Sequence, residues 1–222
     1  MGNLLSMQRR FRPPTRPDRD AILRVFGDQP TEEQLWTAGG DPGKAVRFRR
    51  ILARSLVTDA ALARMTVAED GAAGVVGFVQ WGAEAGQGVG LRLAWGVLRV
   101  FGSFGIRGFL KRDALRSRVA IPAPDEAFHI AELHVLASQR GQGVGAALLQ
   151  EAEREAVRQG ATVLSLTTAT NNPARRLYER AGFSVLEQRT DPAYEVATGV
   201  AGRVLMTKSI APARAARTTS PD

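Results

Sequence analysis

Residues 133–145 read Leu-His-Val-Leu-Ala-Ser-Gln-Arg-Gly-Gln-Gly-Val-Gly. The run opens as a short apolar strand, passes through a glycine-rich turn and enters a helix-forming segment. The turn itself, Gln139-Arg140-Gly141-Gln142-Gly143-Val144-Gly145, has three properties of an anion cradle. Its glycines let the backbone turn tightly and bring N–H groups close together. The helix that follows offers unpaired donors and the positive end of its dipole. Arg140 adds a charge with a geometry suited to phosphate oxygens. A pyrophosphate group is the natural occupant.

Two other phosphate-binding turns are excluded by spacing. A mononucleotide loop ends in Gly-Lys-Ser/Thr, whereas Gly145 is followed by Ala146 and Ala147. A dinucleotide turn wants G-x-G-x-x-G; here the spacing is G-x-G-x-G, and no acidic residue stands at the required distance after a second strand.

Working outward, residues 144–159 predict a helix with Leu148, Leu149, Ala152 and Ala156 on one side and Gly160 as its stop. Residues 162–168 are β-branched and apolar, hence a buried strand. Asn172 is placed to cap a short helix with Pro173 in its first position and Gly182 at its end. Residues 183–188 and 203–210 predict strands, and 211–222 a mobile tail.

Upstream, residues 129–136 predict a strand, and 64–69 with 74–81 a hairpin turning at Asp70-Gly71. A helix over 44–57 is indicated by Phe48, Ile51, Leu52 and Leu56. Another starts at Thr15, with Pro17 in the first turn, Asp18 three residues after the cap, and Ile22, Val25 and Phe26 as its apolar stripe. Residues 8–13 predict an edge strand after a loose lead-in over 1–8. Residues 82–126 form a long connection expected to hold one or two helices. Helices and strands alternate with no internal repeat and no break, which predicts one α/β domain over 1–210.

Composition narrows the chemistry. The chain has 222 residues, 44% hydrophobic and 23% charged, with no cysteine and two histidines. That is ordinary globular composition. It removes thiolate metal sites, disulfides and a cysteine nucleophile, makes a multi-histidine metal centre untenable, and fits a reducing cytoplasm. No apolar core of signal-peptide type opens the chain. The most apolar stretch, 89–110, is interrupted by Arg92, Arg99 and Arg107, so no membrane span is expected. The net charge is +8. Residues 91–118 carry seven basic side chains against Asp113 alone, a pattern that suits either an anionic partner or a solvated surface. No nucleic-acid motif accompanies it.

Two motifs together resemble a known family. The run over 133–145 is similar to the signature of the GNAT superfamily of N-acetyltransferases: a strand, then Q/R-x-x-G-x-G/A before a helix. Ala137 stands where many members have proline. The run Ala169-Thr-Asn-Asn-Pro-Ala-Arg-Arg-Leu-Tyr-Glu-Arg-Ala-Gly-Phe183 is similar to the family's second pattern, N-x-x-A-x-x-L-Y-x-x-x-G-F. Both occur in order, at family spacing. The resemblance implies a single mixed, mostly antiparallel twisted sheet of six or seven strands flanked by helices, here with a helical insertion over 82–126 between the third and fourth strands. It implies acetyl-CoA as acyl donor, an amine as acceptor, and no metal.

Residue by residue, the resemblance implies that Leu133, His134 and Val135 pair through their backbone with the pantetheine arm. Arg140, Gly141, Gln142, Gly143, Val144 and Gly145 would hold the pyrophosphate. Asn171 or Asn172 would contact the coenzyme, spacing to Ala174 favouring Asn171. Tyr178 would protonate the departing thiolate, a task that suits a phenol neutral at pH 7; packing of the Leu-Tyr pair on the sheet is the other reading.

The attacking amine must also lose a proton. Glu132 is the first candidate base or amine anchor, because a carboxylate inside an apolar strand is costly without a purpose or a partner. His134 shares its face of a regular strand, and an imidazole is suited to proton transfer. An arginine partner for Glu132 and a satisfied core position for His134 are the structural alternatives. His129 reads as structural. Leu91, Trp95, Leu98, Phe101 and Phe109 are expected to wall the acceptor groove or to meet a second copy in a homodimer. A coenzyme-binding module without catalysis is the alternative function.

Overall fold

The computed structural model describes residues 9–27, 31–71, 73–82 and 91–210, with the backbone alone at 91–97, 101, 103, 104 and 106. The expected lead-in over 1–8 and tail over 211–222 lie outside the described residues. Seven strands form one sheet: β1 (Arg10–Arg12), β2 (Met65–Asp70), β3 (Gly74–Trp81), β4 (Phe128–Val135), β5 (Val163–Ala169), β6 (Ser184–Thr190) and β7 (Gly202–Ser209). Their order is β1-β2-β3-β4-β5-β7-β6, and every junction is antiparallel except β4–β5. The expected mixed α/β architecture is what the chain adopts.

Period-two alternation splits the core into two layers. On one face, helix α6 (Val144–Arg158) packs Leu148, Leu149, Ala152 and Ala156 against Val79, Leu164, Leu166 and Met206. Leu148 is fully buried and contributes about 2–3 kcal/mol of burial. On the other face, α1 (Arg19–Phe26), α3 (Pro42–Leu56) and α4 (Asp59–Leu62) cover Met65, Val67 and Phe78, with Ile22, Val25, Phe26 and Leu56 as their buried side chains.

The parallel junction is where the sheet opens. β4 and β5 pair only through Phe128↔Leu164, His129↔Ser165 and Ile130↔Leu166. At that point the β3–β4 register shifts: Trp81 pairs with Ile130 and Gln80 with Glu132, leaving Ala131 as an extra residue in β4. A bulge bends the strand that carries it. Beyond Ile130, β4 follows β3 through Val79↔Leu133, Phe78↔His134 and Gly77↔Val135, and no longer pairs with β5. A wedge opens between the two strands.

Several short helices escape the sequence reading. Helices α2 (Glu32–Thr37) and α8 (Pro192–Thr198) fill connections to which the sequence assigned no element, and α4 follows the predicted end of α3. With four to seven residues each, they are too short to show an apolar period, and side-chain caps mark them instead. Thr31 accepts from Gln34 N, Thr58 from Ala61 N and Asp191 from Tyr194 N. Helix α7 (Arg175–Arg180) starts later than Asn172 suggested, because the Asn172 side chain accepts from Ala174 N at 2.9 Å in a turn that precedes the helix.

The connection after β3 contains α5 (Leu91–Ser117), broken at Gly102, which adopts φ 65 and ψ 177. Only glycine takes that conformation without strain. Phe109 meets Phe48 of α3 edge-to-face at 6.0 Å, and Arg112 donates to the Thr37 carbonyl at 3.0 Å. Phe109 therefore packs on α3. Leu98 is exposed, and the side chains of Leu91, Trp95 and Phe101 lie outside the described residues.

Arg49 joins three helices from inside the core. It is 6% exposed, donates to the carbonyls of Phe26 and Gly27 at the end of α1 and to Gln34 of α2, and sits 3.9 Å above the Phe26 ring. It closes the carbonyls that a helix C-terminus leaves open. Arg49→Met is expected to lower stability by about 2–4 kcal/mol, since buried acceptors lose a charged donor. Urea unfolding checks this, and a loss below about 0.5 kcal/mol would contradict it.

Candidate active site in the β4–β5 wedge

The wedge is the mouth of a cleft of about 940 Å³ bounded by β4, the glycine turn, the start of α6, and α7. Leu133 and Val135 project into it from β4. Arg140, Gly141, Gly143, Val144 and Gly145 line the turn and helix start, and Asn172, Leu177 and Tyr178 come from the opposite bank.

The α6 end of the cleft is built to receive negative charge. Gly143 is the N-cap, with φ 81, and no side chain caps the helix. The first intrahelical bond is made by Ala147 N to Gly143 O at 3.0 Å, so the first-turn N–H groups before it face outward, as at any helix start. A Cβ on Gly145 would stand 3.0 Å from Leu177. Glycine there lets α7 approach α6 and narrows the cleft. Arg140 is tethered by its Nε to the Val135 carbonyl at 3.3 Å, with its head exposed at the cleft. Arg180 and Lys208 also border it, Lys208 bound to Glu153 at 2.7 Å.

Not every expected residue reaches this cleft. Gln142 does not line it; its side chain donates to Ser138 O at 3.1 Å and accepts from Arg9 at 2.7 Å. Asn171 is exposed and does not line it either. Of the two asparagines Asn172 is the one that borders the cleft, its side chain donating to Thr168 Oγ1 at 2.7 Å. The Asn172 side-chain oxygen accepts from Ala174 N. His134 turns its side chain to the other face of the sheet.

That other face carries a polar pair. His134 Nε2 and Glu132 Oε2 are 2.8 Å apart, each side chain 26% exposed. The imidazole lies between Phe26 at 5.0 Å and Phe78 at 5.1 Å, stacked on the latter. His134 thus has two aromatic walls and a carboxylate partner, and Glu132 has a histidine rather than an arginine. His129 instead bonds Ser165 Oγ at 2.9 Å in the core.

Tyr178 connects the two sides. It is 8% exposed, edge-on to Phe183 at 6.3 Å, and lines the cleft. Burial first, and then the nearby Glu132 carboxylate, push its pKa up to about 12. The phenol therefore stays a donor across the whole neutral range. Arg180 and Lys208 were not singled out from sequence. Arg180 lies at an unspecified position of the second motif, and Lys208 has no local signal.

Comparison with known proteins agrees with this fold. Residues 35–183 match the acetyltransferase (GNAT) family. No curated protein matches by sequence. Among solved structures, histone acetyltransferase HPA2 and related acetyltransferase from Corynebacterium glutamicum superposes with TM-score 0.58 at 22% identity, covering 95% of this chain and 99% of that one. PaiA N-acetyltransferase from Thermoplasma acidophilum, in complex with coenzyme A, gives 0.52 at 14%, covering 92% and 100%. The ribosomal-protein-S18-alanine N-acetyltransferase from Escherichia coli gives 0.51 at 13%, covering 94% and 98%. At such identities these likenesses concern the fold, while the family match spans most of the chain. The chain belongs to the GNAT family of acetyltransferases.

Proposed function

We propose that this acetyltransferase transfers the acetyl group of acetyl-CoA to an amine by direct attack in a ternary complex. The observation that carries the reading is the open β4 edge beyond Ile130, set between an uncapped helix start and the Tyr178 phenol. The pyrophosphate would rest on Arg140 and the first-turn amides of α6. The pantetheine arm carries amides of its own, and an unpaired strand edge suits them as a further strand would. The thioester would then lie in the wedge beside Tyr178. Asn172 is positioned to border the arm from the opposite bank.

The amine nitrogen attacks the thioester carbonyl carbon, and the backbone N–H groups of β4 stabilise the resulting oxyanion. The C–S bond then breaks and the sulfur leaves. A thiol titrates near about 8.5 in water and a phenol held near 12 is a weaker acid, so outright transfer to a solvated thiolate is uphill. In the dry wedge the sulfur is desolvated as well, which raises its proton affinity and makes the Tyr178 O–H an effective donor. Glu132 takes up the amine's proton or anchors the ammonium before it, with His134 fixing the carboxylate's orientation. The acceptor would approach from the Glu132 side of the sheet, opposite α6.

Two measurements test these roles. Tyr178→Phe keeps the packing and removes the O–H; kcat is expected to fall roughly 10²-fold or more, and Glu132→Gln similarly, with coenzyme binding retained. Full activity of Tyr178→Phe in an assay of CoA release against an amine panel would end the general-acid assignment. The second is an absorbance titration. The chain has two tyrosines, and Tyr194 is likewise pushed up to about 12, by burial first and then by Glu33. The folded protein should therefore show only a few per cent phenolate at pH 10.5, where an unfolded chain is mostly ionised. Because the folded state holds these protons more tightly, their contribution to stability is present below about pH 10 and declines between about 10 and 12. A normal transition near pH 10 in the folded protein would contradict the buried phenol.

A further inference from the structure

Gln142 occupies the tip of the glycine turn, yet it serves the turn and not the cleft. Its Nε2 reaches back to Ser138 O at 3.1 Å and closes the turn on itself. Its backbone oxygen accepts from Arg9 Nη1 at 2.8 Å, and its Oε1 from Arg9 Nη2 at 2.7 Å. One guanidinium thus grips the main chain and the side chain of a single residue with both terminal nitrogens. Such a fork fixes direction as well as distance, which an ammonium cannot do.

The turn needs such a grip. Gly141 and Gly143 both hold left-handed φ values, 74 and 81, and neither has a neighbour within 4 Å of where a Cβ would stand. Nothing packs against those positions, and glycines lose more conformational freedom on ordering than any other residue. A turn free to rearrange would have to be ordered each time a ligand arrives, at a cost in affinity. Arg9 immediately precedes β1, whose register with β2 begins at Arg10↔Glu69. The grip on the turn is therefore anchored to the far edge of the sheet.

We infer that Arg9 is a positioning residue for the coenzyme: through its fork onto Gln142 it holds the pyrophosphate turn in its binding shape. The inference rests on the coenzyme reading of the cleft given above. Arg9 does not line the cleft, and its effect passes through Gln142. The role belongs to the guanidinium's shape, and its positive charge is secondary.

Calorimetric titration of coenzyme A into the full chain tests this, with Arg9→Ala, Arg9→Lys, Gln142→Ala and the Arg9→Ala/Gln142→Ala pair. Arg9→Ala is expected to raise Kd about tenfold while the melting temperature of the free protein stays put. Arg9→Lys should recover little, since it restores the charge without the fork. The double variant should be no weaker than the weaker single, as for two residues acting through one interaction. In turnover, the change should fall on KM for acetyl-CoA and not on kcat. Unchanged Kd in Arg9→Ala, full rescue by lysine, or losses that multiply in the double variant would each overturn the inference. If the unaltered protein takes up no coenzyme A, the reading of the cleft fails and this inference with it.

Discussion

One extra residue in one strand underlies the site. Ala131 has no partner in β3, and from that bulge onward β4 stays with β3 and leaves β5. In a closed sheet the backbone of residues 131–135 would be saturated by its neighbour, and nothing could enter. With the seam open, a row of main-chain donors and acceptors borders a cleft in the middle of a seven-stranded sheet. A half-buried unpaired edge of this kind is costly unless something pairs with it. The open seam is a structural liability that an extended, amide-bearing ligand is suited to relieve.

The surrounding architecture frames the seam from both faces. On one face α6 and α7 approach each other closely because Gly145 leaves room for Leu177. On the other, the end of α1 is pinned by Arg49, whose guanidinium lies over Phe26, and Phe26 in turn faces His134. His134 holds Glu132, and the Glu132 charge is felt by Tyr178 across the wedge. Packed or hydrogen-bonded pairs thus run from a buried arginine to Glu132, and from there only the carboxylate's charge reaches the phenol that lines the cleft.

Much of this was legible in the sequence, for physical reasons. The glycine turn is read because only glycine tolerates the backbone at Gly141 and Gly143, and the long helix after it shows its apolar stripe at Leu148, Leu149, Ala152 and Ala156. The strands declare themselves through apolar, β-branched runs and the Asp70-Gly71 turn. What was not legible depends on contacts distant in the chain. That Asn172 and not Asn171 borders the cleft depends on hydrogen bonds to Thr168 and Ala174 that spacing does not show. Phe109 looked like a groove wall and packs on Phe48. Gln142 looked like a phosphate contact and is gripped by Arg9, a residue 133 positions away. Helices α2, α4 and α8 were missed because their stability comes from caps and tertiary packing, not from an apolar period.

The claim on which the account stands is that the open β4 edge and the α6 start bind coenzyme A together. Hydrogen exchange of the free and coenzyme-saturated protein measures this most directly. The account predicts that coenzyme A slows exchange of the amides over 131–135 and 141–146, while those of β6 and β7, paired with each other at the far edge of the sheet, stay unchanged. Saturation that leaves 131–135 exchanging as in the free protein would contradict it, because the wedge would then not be where the ligand lies.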